Sequence, residues 1–297
     1  MGQHRPSTST YLDINHLRYH IRTWNEHGKE TFFFLHGHED CAATFQFVVD
    51  RLPEDWRIIA PDWRGHGKTQ WDHDSYLLQN YVSDFDKIVD HYAPDQSVRI
   101  VGHSMGGNAG QMWAAVRPRR VEKLVALDAF GLRSEDPAEF PDRLVEWLDN
   151  LRGERPPKRP SPDLESFARR LHSANRRLDE ENALFMAEAL TVRRPDGSVE
   201  ASFDPLHRGA KPYTYRFDDM GACYERITAP VLWVASGRKL NPALADGGLE
   251  RRSKLFRNCK LAHVGDTGHN LHHDAPAEVA SLIEAFFKGE DLPTINR

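Results

Sequence analysis

The stretch that most constrains this chain is Val98-Arg-Ile-Val-Gly-His-Ser-Met-Gly-Gly-Asn108, an apolar run that breaks into Gly102-His103-Ser104-Met105-Gly106-Gly107. The β-branched residues up to Val101 predict a buried strand. The Ala-, Gln-, Met- and Trp-containing residues after the glycines predict a helix to about Arg117, stopped at Pro118. A strand that passes at once into a helix must turn sharply, which pins Ser104 at the tip of a strained turn with its hydroxyl exposed. The stretch reads as a nucleophile elbow. Gly102 and Gly106 flank the serine because a side chain at either point would strike the neighbouring strand or helix. Five matching residues recur by chance, so the weight of the motif comes from its context on both sides.

That context begins with size and charge. With 297 residues, 39% of them hydrophobic, and seven Trp, the chain can bury a sizeable core, and one α/β domain with an insertion fits better than two equal domains. A net charge of -5 predicts no nucleic-acid partner, and the Arg-rich stretches are interleaved with Asp and Glu as solvated helix faces. Cys41, Cys223 and Cys259 are far apart and odd in number, which fits a reducing compartment. The first residues carry no apolar h-region, and Pro6 stands where a myristoylation motif wants Ser or Thr. No apolar run reaches membrane-spanning length, so the expectation is a cytoplasmic protein with no membrane partner.

Along the chain, residues 11–24 alternate as an edge strand or hairpin, and Thr31-Phe-Phe-Phe-Leu35 is apolar enough for a fully buried strand. It ends in His36-Gly37-His38-Glu39-Asp40, where the backbone N–H of His38 is expected to pair with that of Met105 as an oxyanion hole. The His38 ring either lines the pocket or packs. Residues 43–52 predict a helix and Trp56–Ala60 a buried strand, followed by Pro61-Asp-Trp-Arg-Gly-His-Gly-Lys-Thr69. There Asp62 is expected to be structural and tied to Arg64 by a charge-assisted bond. An amphipathic helix is predicted over 76–92.

The ordered set His36-Gly37, Asp62-x-Arg64-Gly65-x-Gly67 and Gly102-His-Ser-Met-Gly106-Gly107, completed by Gly268-His269, resembles the α/β-hydrolase superfamily. In particular it is similar to the bacterial serine-hydrolase-like group of esterase-type proteins, in which Phe45-Gln-Phe-Val-Val-Asp50, Asp62-Trp-Arg-Gly65 and Leu271-His-His-Asp274 have counterparts. The resemblance implies an α/β-hydrolase fold: a mostly parallel eight-stranded sheet flanked by helices, with a helical cap inserted after strand 6. Residues 1–133 and 227–297 are then the two parts of the core, and 134–226 the cap. The charged, Pro-punctuated middle section, with helical periods over 140–151, 166–174 and 181–190, agrees with this division. Its Tyr213, Tyr215 and Arg216, together with His103 of the elbow, are candidate substrate-binding residues.

His269, in a Gly-flanked loop after the last strand, stands where the order Ser, acid, His puts the general base. Many relatives carry the acid just after the strand equivalent to 230–235, but Ser236-Gly-Arg-Lys-Leu-Asn241 offers no carboxylate at that point. Asp128, which ends the strand after the elbow helix, is the expected acid, with Asp246 second; Asp266 and Asp274 are too near His269 in sequence to sit beneath its ring. His263, His269, His272, His273 and Asp274 also raise a metal reading. A Gly-containing loop without a second ligand cluster argues against it, so neither metal nor cofactor is expected. The expectation is a serine hydrolase that cleaves a small carboxylic ester or lactone, a small-molecule substrate, through an acyl-enzyme on Ser104. The alternatives are a cofactor-free, ring-cleaving dioxygenase of this fold and a non-enzymatic ligand receptor built on it.

Overall fold

A computed structural model describes residues 4–72, 76–132, 134–153, 155–237 and 248–295. The chain opens with the hairpin β1 (Ser7–Ile14) and β2 (Leu17–Trp24). Then come β3 (Glu30–Leu35), α1 (Gln46–Val49), β4 (Trp56–Pro61), α2 (Leu78–Tyr92), β5 (Val98–His103), α3 (Ser104–Val116) and β6 (Val121–Leu127). A middle section carries α4 (Phe140–Arg152), α5 (Leu164–Ala174), α6 (Glu180–Leu190), β7 (Thr191–Arg193), β8 (Val199–Ala201) and α7 (Phe217–Arg226). The chain then returns to β9 (Val231–Ser236), α8 (Gly248–Ser253), β10 (Cys259–Val264), α9 (Leu271–Asp274) and α10 (Pro276–Lys288).

Among the described residues, one eight-stranded sheet has the order β1-β2-β4-β3-β5-β6-β9-β10. β2 pairs antiparallel with β1 and β4, and every pair from β4 to β10 is parallel. Parallel strands joined by crossover helices are covered on both faces, and β3 shows why its aromatic run is needed. Phe33 and Leu35 pack with Phe85 and Trp113 under α2 and α3, whereas Phe32 and Phe34 pack with Ile283 and Phe286 of α10. Each such side chain contributes roughly 1.5–3 kcal/mol by leaving water. All six parallel strands run the same way, so the loops after β3, β4, β5, β6 and β10 gather at one edge, where ligands bind in open α/β sheets.

Two local expectations change. The helix predicted over 43–52 is a 3₁₀ turn at Ala42–Phe45 followed by the single turn α1. Its end tightens because Arg51 and Leu52 donate to carbonyls only three residues back as the chain approaches Pro53. The middle section is also not wholly helical. Val192 and Val199 sit in the hairpin β7–β8, turned at Pro195-Asp196-Gly197, where Gly197 takes φ +87°. This section lies between β6 and β9, which are neighbours in the sheet, and it has a small core of its own around Phe167, Met186 and Val199 with Phe47 from below. Among the described residues, no helix is long and apolar enough to cross a membrane.

Candidate active site

Ser104 is the first residue of α3 and takes φ +49°, in the left-handed region that costs a non-glycine residue of order 1–3 kcal/mol. The strain follows from how closely β5 and α3 cross. A Cβ on Gly102 would fall 2.5 Å from the Gly107 Cα, so the turn can be this sharp only with glycine there. The geometry lifts the Ser104 hydroxyl clear of the sheet edge.

His269 meets it from the loop after β10. Its Nε2 is 2.8 Å from Ser104 Oγ, and its Nδ1 is 2.6 Å from Asp128 Oδ2. A carboxylate only accepts, so Nδ1 carries the ring hydrogen and Nε2 presents its lone pair to the serine hydroxyl. Asp128 follows β6 at φ +48°, a conformation that Asp tolerates better than most residues. Its own N–H donates to the Val234 carbonyl at 2.8 Å, and its Oδ1 accepts from the Ser236 N–H at 3.1 Å. The end of β9, which lacks a carboxylate of its own, thus positions the carboxylate supplied by β6. Asp246 lies outside the described residues. Asp274 is spent elsewhere: it accepts from the Gly268 N–H and the Asn175 amide.

Ser104, Met105 and His38 open together on a cavity of about 300 Å³, whose far wall includes Tyr76, Tyr213 and Tyr215. Met105 is in the first turn of α3, where backbone N–H groups have no partner within the helix and the helix dipole favours negative charge. The Tyr215 hydroxyl and His207 Nε2, two further polar atoms of residues lining the cavity, are buried without partners. Lys211 also lines it, donating to the His207 carbonyl at 3.1 Å; burial pushes its ammonium down to about 8, against the opposing pull of Asp204. Arg216 stands apart, in a neighbouring depression beside Met112 and Cys223.

The structure places two singled-out residues differently from expectation. His103 is not among the residues lining this cavity. It is 2% exposed, turned beneath the elbow, with Nε2 2.9 Å from the His269 carbonyl oxygen. Asp62 is structural, but its partner is not Arg64. Asp62 Oδ2 lies 2.7 Å from His20 Nδ1 and its oxygens accept from the Ala42 and Lys68 amides, whereas Arg64 gives its fork to Asp84 and its remaining terminal nitrogen to Asp72. A planar guanidinium matches Asp84 side-on in two parallel bonds, a fit that a carboxylate two residues away on the same loop does not offer. His20, Tyr76 and His207 carry no local signal in the sequence, because each is brought to its place by pairing between distant segments. The histidines near the chain end divide: His269 faces Ser104, and His272 turns inward toward Asp40 and His103.

Comparison with known proteins identifies the fold. The family model of the α/β-hydrolase fold matches residues 30–276. The serine hydrolase-like protein of Danio rerio is 29% identical over 282 residues, covering 90% of this chain and 84% of that one. Serine hydrolase-like protein 2 of Homo sapiens is 28% identical, covering 86% and 85%. These two relatives are animal proteins, whereas the motifs resembled a bacterial group. Among solved structures, the thioesterase domain from a curacin biosynthetic pathway superposes with a TM-score of 0.81 at 27% identity, over 94% of this chain and 99% of that domain.

Proposed function

This chain belongs to the α/β-hydrolase fold family, and from that premise we propose that it is a serine hydrolase that cleaves a small carboxylic ester or lactone through an acyl-enzyme on Ser104. The observation that carries the reading is the unbroken chain Ser104 Oγ, His269, Asp128, at 2.8 and 2.6 Å, opening on a cavity. His269 Nε2 takes the serine proton as Oγ attacks the carbonyl, and Asp128 holds the imidazolium that forms. The amides of Met105 and His38 receive the oxyanion, each donor worth about 3 kcal/mol of transition-state stabilisation. The proton on Nε2 then passes to the leaving alcohol, and water attacks the acyl group with the same base. No step in this scheme calls on a cofactor.

The section over 134–226 acts in this reading as a cap, since it supplies Tyr213, Tyr215, His207 and Lys211 to the cavity wall. A largely aromatic wall suits an apolar or aromatic acyl group.

Intact-mass measurement after incubation with a fluorophosphonate tests the mechanism without a substrate guess. One adduct on the wild type and none on Ser104→Ala is the expected result, followed by turnover in a screen of aryl esters and lactones. A folded wild type that neither gains the adduct nor turns over any ester overturns the acyl-enzyme.

A further inference from the structure

Beneath the elbow lies a cluster of polar side chains that the hydrolytic scheme does not use. Asp40, His103 and His272, all buried, each bring a ligand atom within 4.8 Å of the others. Asp40 Oδ1 accepts from the Cys41 N–H at 2.8 Å and the Thr44 hydroxyl at 2.7 Å, while its Oδ2 has no partner. His103 Nε2 faces a carbonyl, which only accepts, so Nε2 carries the ring hydrogen and Nδ1 is a bare lone pair, buried and without a partner. His272 is 0% exposed and neither of its ring nitrogens has a partner; Nε2 is 3.7 Å from Asp40 Oδ2. His273 Nε2, also without a partner, is 3.9 Å from the same oxygen. Gly37 keeps the space beside the cluster open, since a Cβ there would fall 2.6 Å from His103 Nδ1.

Separations of 3.7 and 3.9 Å exceed hydrogen-bond length, so these groups do not satisfy one another. Buried polar atoms in that state are uncommon, and five on one small volume, from four residues in three separate segments, is a specific arrangement. Donors around a tetrahedral ion with bonds of about 2.0–2.1 Å stand about 3.3 Å apart, within reach of small side-chain rotations. We propose that Asp40, His103 and His272, with His273 as fourth donor, form a buried binding site for a divalent transition ion of the zinc class.

The donor set of imidazoles and one carboxylate is that of zinc and its neighbours rather than of calcium or magnesium. A divalent ion supplies a positive charge beside this buried carboxylate and a partner for its unpaired oxygen. The ion touches no reacting atom. Through His103, whose other nitrogen donates to the His269 carbonyl, it ties down the loop that carries the base, as an outer hydrogen bond orients a metal-bound histidine. The assignment is independent of the hydrolytic reading.

The test uses the full chain, treated with a chelator, desalted, and incubated at length with zinc chloride or cobalt(II) chloride. Expected are about one ion per chain by elemental mass spectrometry, the intense visible bands of tetrahedral cobalt(II), and a Tm raised by about 5 °C or more. Asp40→Asn and His272→Gln are expected to weaken binding by tenfold or more, and His91→Gln to leave it unchanged. No bound ion on folded wild-type protein, or only the faint spectrum of octahedral cobalt(II), overturns the site in favour of bridging water. Undiminished binding in the folded His272→Gln variant overturns it in favour of another location. Should both variants misfold, the wild-type cobalt spectrum still decides.

Discussion

Among the described residues two Ser–His–Asp chains have nearly the same dimensions, and the proposed chemistry falls to one of them. At the elbow, Ser104 Oγ, His269 and Asp128 are linked at 2.8 and 2.6 Å. At the other end of the sheet, Ser9 Oγ of β1 lies 2.9 Å from His20 Nε2, and His20 Nδ1 lies 2.7 Å from Asp62 Oδ2. Both place the ring hydrogen on Nδ1 toward the carboxylate and the bare lone pair toward a serine hydroxyl. A cavity of about 240 Å³ even abuts His20 and Asp62, so neighbouring space is not what separates the two.

The difference lies in what surrounds the same three groups. Ser104 stands on a positive-φ turn that opens a 13-residue helix, whereas Ser9 lies mid-strand in the extended hairpin ladder opposite Arg22. His269 is 56% exposed, whereas His20 is 1% exposed. Under the proposed mechanism distances alone do not mark a nucleophile, and a place for the developing oxyanion and an exposed ring complete the requirement.

The largest expected effect breaks the comparison at the serines. Ser104→Ala is expected to lower kcat on an aryl ester by about 10⁵–10⁶-fold and to abolish the fluorophosphonate adduct, with Ser9 and its partners intact. Ser9→Ala is expected to leave kcat within about twofold. Residual labelling at Ser9 in the Ser104→Ala protein, mapped by peptide mass, would show that three distances suffice after all.

Next in size are the carboxylates. Asp128→Asn keeps the shape but presents a donor where Nδ1–H needs an acceptor, so the ring adopts the wrong tautomer and kcat falls about 10⁴-fold. Asp62→Asn makes the same chemical change in the other chain and is expected to move kcat less than about threefold in folded protein. Equal losses in the two variants would mean that the distal chain feeds into the reaction.

This contrast also marks how far the sequence alone could be read. The elbow was legible because its requirements are local: a strand, glycines that allow a close crossing, and a helix within a dozen residues. The place of Asp128 against His269 is legible from what β9 lacks. The Asp62 partner was not, because His20 reaches it across the β2–β4 pairing, and Arg64, two residues away, is the nearer candidate in sequence but not in geometry. The His103 ring departs from its expected place for a related reason. Its neighbour Ser104 faces the cavity, but β5 ends with the His103 ring under the turn, among His269, His272 and the space that Gly37 leaves. The hairpin β7–β8 carries one local signal, the turn residues Pro195-Asp196-Gly197, set between helical periods.

Stability sharpens the comparison further. Burial alone would raise the Asp62 carboxyl, but the His20 hydrogen bond and the Lys68 amide outweigh it and hold the group below the ordinary carboxylate value. The folded chain thus binds this proton less readily than the unfolded one, whose carboxyl titrates near about 3.9. Its contribution is fully present above that value and is lost as pH falls through it toward the folded value. Asp62→Asn is expected to cost about 3 kcal/mol in urea unfolding at pH 7, and the gap to wild type to narrow below about pH 4. A gap that stays constant through pH 3 would mean the carboxylate's charge is not what matters.

The smallest effect falls on the hydroxyl of the silent chain. Ser9 is exposed on an edge strand, so its removal creates no cavity, and the one atom affected is His20 Nε2, which loses its donor. Water at the strand edge replaces the hydroxyl, so Ser9→Ala is expected to cost about 0.5–1 kcal/mol, well under the Asp62→Asn loss. Losses as large as those of Asp62→Asn would instead mean that His20 depends on both partners equally. The small value would place the weight of this buried pair on the carboxylate, which meets His20 and two loop amides at once, and leave the serine as the replaceable end.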